Sequence, residues 1–206
     1  QAEHEDFFPQ IKQHLQFFEN LLGPYPFRAD KFAVVEAPYL GMEHQTAIAY
    51  GNRSGSDVFG YDYGFDALYL HELAHEWFGN QLTAADWKDF WLHEGVASYM
   101  EALYAEDQVG GDGYAGVLQH FRQRIRNREA LVAAASQTTV EAYNIDIYYK
   151  GAWVLHTLRY LLGRETMIEI LRDFVYPEPS LADSTNGAQC RLVDTAEFIR
   201  IANMVA

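Results

Sequence analysis

The stretch HELAHEW, residues 71–77, constrains this chain more than any other seven residues in it. On an α-helix, positions four apart share a face and lie about 6 Å apart along the axis. His71 and His75 therefore leave one side of one helix, and imidazoles so placed converge on a single tetrahedral ion. Glu72 stands beside that ion rather than on it, where it can take a proton from a bound water. The stretch FWLHEGVASYME offers a third ligand, Glu94, with eighteen residues between it and His75. The fold must then bring a second helix across the first. Two His and one carboxylate leave a fourth position open for water, which is the catalytic pattern. A structural site would draw on Cys, and Cys190 stands alone. The expected cofactor is one Zn2+ per chain. Glu101 lies seven residues after Glu94, on the same helix face, where it can orient a ligating imidazole. A solvated surface Glu is its simpler alternative.

Around this core the helical period is plain. Phe8, Ile11, Leu15, Phe18 and Leu22 predict an amphipathic helix over 5–22, ended by GPYPF. KFAVVEAP reads as a strand, and LGMEHQTAIAYG as a second, although Glu43 and His44 interrupt it. Past the glycine-rich GNRSGSDVFGYDYG, helices are expected over 65–80, 94–108, 112–129, 149–162 and 164–175. Gly110, Gly111 and Gly163 sit at C-terminal cap positions. Asp194 with Glu197 announces a last helix, after a long connection over 176–193. The expected fold is α+β in one domain, residues 1–206. A helix and small sheet form a lobe over about 1–64, and a mainly helical lobe covers about 65–206.

The net charge of −14 sets the chain against nucleic acid and anionic membrane surfaces. No apolar run reaches the roughly 18 residues that a membrane helix needs. The chain starts at Gln1 and stops within an apparent helix, so it reads as an excised piece of a longer protein. Targeting signals would lie outside it, which leaves cytoplasm and bacterial envelope equally open. His4, His14, His120 and His156 read as surface or core residues. Arg122, Arg124, Arg126 and Arg128 read as spread around a helix.

Four motifs in order carry a resemblance: GMEH at 41–44, HELAHEWFGN at 71–80, WLHEGVASYME at 91–101 and YYKGA at 148–152. Together they resemble the zinc aminopeptidases of the aminopeptidase N type, within the gluzincin clan. The resemblance implies a thermolysin-like catalytic domain acting on peptides with a free N-terminus. It implies that Glu43, with Gly41 and Met42 in the same motif, binds the substrate N-terminus, and that Tyr148 stabilises the oxyanion. It also puts Tyr143 near the site. Family members usually carry Asn where His44 and His93 stand, so both changes are expected to add an imidazole near the metal. Glu76 stands where Gln is common. The implied partners are peptide substrates and further N- and C-terminal domains of the same chain. Rival readings are an endopeptidase of the clan, a bifunctional aminopeptidase and epoxide hydrolase, and a catalytically silent binding module.

Overall fold

The computed structural model describes residues 7–51 and 60–206. His4, the expected first turn of the leading helix and most of the glycine-rich stretch lie outside the described residues. Helix α1, Phe7–Leu22, buries Phe17, Phe18, Leu21 and Leu22. It stops at Gly23, whose φ of 116° is open to glycine.

A three-stranded sheet follows, in the order β1, β3, β2. Strand β1, Ala33–Glu36, runs parallel to β3, Ala47–Tyr50, and β2, Gly41–Met42, pairs antiparallel with β3. The expected single strand over LGMEHQTAIAYG is thus a hairpin. A continuous strand cannot pair with itself, so the chain reverses between Met42 and Ala47, and Glu43 and His44 sit in the turn. Thr46 takes a φ of 57° there.

Helix α2, Ala67–Ala74, starts at Asp66, whose carboxylate accepts the Tyr69 amide at 2.9 Å. It ends sooner than the expected 65–80. Phe78 and Gly79 leave helical dihedrals within a wide turn over Glu76–Gln81, and the chain runs into β4, Leu82–Ala84. That strand pairs in parallel with β5, Arg191–Val193, a second sheet within what the sequence presented as a bare connection.

The centre is helix α3, Trp91–Val109, buried at every residue from Trp91 to Ala105. Around it pack α2, α4 (Gly111–Arg122) and α6 (Ile145–Leu162), with the one-turn α5 (Thr139–Ala142) before α6. Helix α4 stops short of the expected 129. The Asp146 carboxylate takes the amides of Arg126 and Arg128 at 2.7 and 3.2 Å, drawing that backbone out of the helix. Of the four spaced arginines, only Arg122 is helical. Helices α3 and α6 cross at Gly95 and Gly151, where a Cβ on Gly95 would lie 2.8 Å from the Gly151 Cα. Helices α7 (Arg164–Val175), α8 (Pro179–Ala182) and α9 (Thr195–Val205) complete the chain. Gly110 and Gly163 cap as expected, with φ of 79° and 92°, whereas Gly111 opens α4; Asp194 accepts the Glu197 amide at 2.8 Å. Among the described residues no helix is long and apolar enough to cross a membrane.

Candidate active site

Helix α2 brings His71 and His75 to one side, and the first turn of α3 brings Glu94 to meet them. Glu94 Oε2 lies 3.1 Å from His71 Nε2 and 3.4 Å from His75 Nε2. One donor atom from each of the three residues falls within 4.8 Å of the others. Each ring is also held through its other nitrogen. His71 Nδ1 donates to Glu101 at 2.9 Å, and His75 Nδ1 donates to the Phe78 carbonyl at 2.9 Å. Both partners accept in these bonds, so each imidazole, once it gives up its proton, presents its Nε2 lone pair towards Glu94. Burial lowers the His75 pKa, but Glu94 outweighs it and holds the ring up at about 9. Burial also works to raise Glu94, yet the two imidazoles hold its carboxyl far below the usual range. Two lone pairs and an ionised carboxylate, converging on one point, fit a divalent cation.

Glu72 faces the same cleft from the next position of α2. Burial pushes its pKa up to about 7, against the pull of His71 and His75. Gly41 lies directly over it: a Cβ there would stand 2.4 Å from Glu72 Oε1, so a larger residue in β2 would push this carboxylate aside. Beyond Gly41 and Met42, the hairpin turn carries Glu43, which has a carboxylate oxygen within 4.8 Å of donor atoms of Glu72 and His75. Tyr148, in the first turn of α6, stacks over His71 with ring centres 6.0 Å apart. Burial and a hydrogen bond to Glu94 raise its pKa, so the phenol stays protonated. All of these groups line one cavity of about 460 Å3, together with Tyr143 at its rim and an apolar wall that includes Leu40, Tyr63 and Leu68. Among the described residues, four glutamates line it, and no Lys or Arg does.

Of the two unusual histidines, only His93 lies near the ligands, its ring centre 6.4 Å from that of His75. His44 is exposed and lies outside the cavity lining. His93 is buried, but its Nε2 accepts the Ala84 amide at 2.8 Å, so it faces β4 rather than the cleft. Burial, aided by His75, pushes its pKa down to about 3. Two groups that motif reading passed over sit beside the cleft. Glu76 accepts the Thr46 amide at 2.8 Å, and Asn80 donates to the Glu43 carbonyl at 2.9 Å. Nothing in their spacing marked either as a tie to the hairpin, because both bonds reach backbone thirty or more residues away.

A His-His-Glu cluster on two crossed helices, opening into a cleft beside a sheet edge, is the arrangement of a gluzincin metallopeptidase domain. Residues 8–179 match the model of the peptidase family M1 domain, and the chain belongs to that family. It is 33% identical to endoplasmic reticulum aminopeptidase 2 of Bos taurus over 63% of this chain and 17% of the relative. Leucine aminopeptidase 2 of Eremothecium gossypii is 32% identical over 77% of this chain and 27% of the relative. Among solved structures, the M1 zinc metallopeptidase of Deinococcus radiodurans superposes with a TM-score of 0.71 at 29% identity, covering 94% of this chain and 39% of that one. Leukotriene A4 hydrolase of Saccharomyces cerevisiae superposes with a TM-score of 0.73 over 94% of this chain and 31% of that one; at 20% identity it shows the fold alone. The chain thus spans less than a third of the length of these two curated relatives. The α+β class and the mainly helical architecture are those of the family. The metal that the family implies is Zn2+, and nitrogen and carboxylate donors at this geometry suit it.

Proposed function

We propose that this chain is the catalytic domain of a zinc aminopeptidase that hydrolyses the N-terminal peptide bond of peptides. The observation that carries the reading is the position of Glu43, an accessible carboxylate within 4.8 Å of Glu72 and His75 and so beside the metal ligands. Such a group rewards a positively charged chain terminus with a charge-assisted hydrogen bond. It sets the first peptide bond, and no other, against the reacting groups.

His71, His75 and Glu94 hold the metal, and Glu101 orients His71. A zinc ion held there would supply Lewis acidity, lowering the pKa of the attacking water and polarising the scissile carbonyl. Glu72 takes the proton from that water and passes it to the leaving amine. A pKa near 7 suits a group that must both accept and return a proton. Tyr148 donates a hydrogen bond to the developing oxyanion. Its raised pKa keeps the proton in place to be shared. Gly41 and Met42 form the strand edge above Glu72, where the substrate N-terminus enters. Tyr143 stands at the rim.

The test uses one peptide in free and N-acetylated forms, incubated with the zinc-loaded protein and followed by mass. Stepwise loss of N-terminal residues from the free form alone is expected. Internal cleavage of both forms would replace this reading with an endopeptidase.

A further inference from the structure

The hairpin turn that carries Glu43 is tied down at both ends by the wide turn that follows the second histidine. At its start, the Glu43 carbonyl accepts a hydrogen bond from Asn80 Nδ2 at 2.9 Å. At its end, the Thr46 amide donates to Glu76 Oε1 at 2.8 Å. Both bonds hold backbone, so the Glu43 side chain stays available to a ligand. The lower turn is itself rigid. Glu76 is fully buried, Asn80 N donates to the His75 carbonyl at 2.8 Å, and Thr83 Oγ1 donates to the Gly79 carbonyl at 2.7 Å. The same segment supplies the Phe78 carbonyl that fixes His75. One short segment therefore holds both a metal ligand and the loop that bears Glu43.

Thr46 bears on this independently. A β-branched residue at a φ of 57° is strained, and such a conformation persists only where its surroundings impose it. The residues between the two ties, His44 and Gln45, are exposed; the His44 carbonyl accepts the Ala47 amide at 3.0 Å, and Gln45 donates to Asp30 at 3.2 Å. Thr46 is held on both sides: its carbonyl accepts the Ala33 amide at 3.0 Å, and its own amide is fixed from below by Glu76.

We infer that Glu76 and Asn80 are positioning residues that set the distance between Glu43 and the metal site, and so set the preference for a free amine over an uncharged chain end. This rests on the proposal that Glu43 binds the substrate ammonium. Without either tie the turn relaxes away from His75, and the amine loses its partner while the metal ligands stay in place. Any acceptor oxygen at position 76 will serve the Thr46 amide, whereas an apolar side chain will not.

The test compares two probes that share a metal-binding head: leucine hydroxamate and its des-amino counterpart. Their affinities for the zinc-loaded protein are measured by calorimetry, alongside zinc content and thermal unfolding. Wild type should bind the amine form more tightly. Asn80→Ala and Glu76→Leu should each cut that preference by about tenfold, the scale of one lost hydrogen bond. Their affinity for the des-amino probe should not change, and Glu76→Gln should keep the wild-type ratio. Should Glu76→Leu fail to fold, Asn80→Ala, at a half-buried side chain, decides alone. An unchanged ratio in folded variants overturns the inference and leaves the amine-binding proposal standing. So does an equal loss for both probes, which would mark a purely structural role. Equal binding of the two probes by wild type would overturn the amine-binding proposal, and this inference with it.

Discussion

Glu72 and Tyr148 reach the same cavity from different helices, and the proposed mechanism gives them opposite tasks. Glu72 is placed to exchange a proton, so Glu72→Gln should lower kcat by about 10²–10⁴-fold while zinc content, read by metal analysis, stays at wild type. Tyr148 only has to donate a hydrogen bond. Tyr148→Phe should lower kcat by about 10²–10³-fold with little change in KM, and an effect confined to KM would remove it from oxyanion stabilisation. Outside the cavity lining, His14 is fully buried among Phe65, Tyr69 and Tyr104, and neither ring nitrogen has a hydrogen-bond partner among the described residues. Burial pushes its pKa from 6.5 down to about 3. The folded value lies below the unfolded one, so the unfolded chain takes up the proton first. Stability is full above pH 6.5 and drains away as the pH falls towards 3. Between pH 7.5 and 5, His14→Phe should therefore lose about 2 kcal/mol less than wild type, measured by urea unfolding at both pH values.

At the scale of elements, the crossing of α3 and α6 decides the site as much as any ligand does. Gly95 follows Glu94 directly, and Gly151 comes one turn after Tyr148, so the glycine contact sets how near those two side chains come. A methyl on Gly151 would meet the Gly95 Cα at 2.8 Å, and backbone cannot yield as a flexible side chain can. Gly151→Ala should cost about 1–3 kcal/mol by thermal unfolding and should also lower kcat, because Tyr148 moves off Glu94. The elements themselves were unevenly legible. Helices α1, α6 and α7 announce themselves through their apolar period, and the glycine caps after α3 and α6 through their residue type. The end of α2 is hidden, since Glu76–Gln81 reads as helix until β4 must turn away to pair with β5. Helix α4 ends where the remote Asp146 takes its following amides, and no local pattern carries that.

Across the whole molecule, charge shapes what the cleft will accept. The chain carries a net charge of −14, and among the described residues the cavity is lined by Glu43, Glu72, Glu94 and Glu101 with no Lys or Arg. On the proposed function, a bound dication would neutralise part of this, and the substrate ammonium would take up more. A second carboxylate on the first residue finds no partner and an apolar wall instead. Peptides beginning with Asp or Glu should show kcat/KM at least about tenfold below those beginning with Leu, in a series that varies only the first residue. Equal rates across the series would show that the cleft charge does not act on that side chain.

The chemistry of this protein was present in the sequence because a helix is periodic. Residues four apart must share a face, so HELAHEW dictates two converging imidazoles wherever the helix lies, and WLHEGVASYME supplies a carboxylate of the right kind. What the sequence could not carry was every relation between distant backbone groups. Glu43 leaves the strand register because β2 and β3 must pair with each other. His93 turns from the cleft because the Ala84 amide needs an acceptor. Glu76 and Asn80 acquire a task only when the hairpin folds down onto them. Side-chain type and spacing are local and survive in the string of residues; hydrogen bonds to backbone across thirty residues come into being only when the chain has packed.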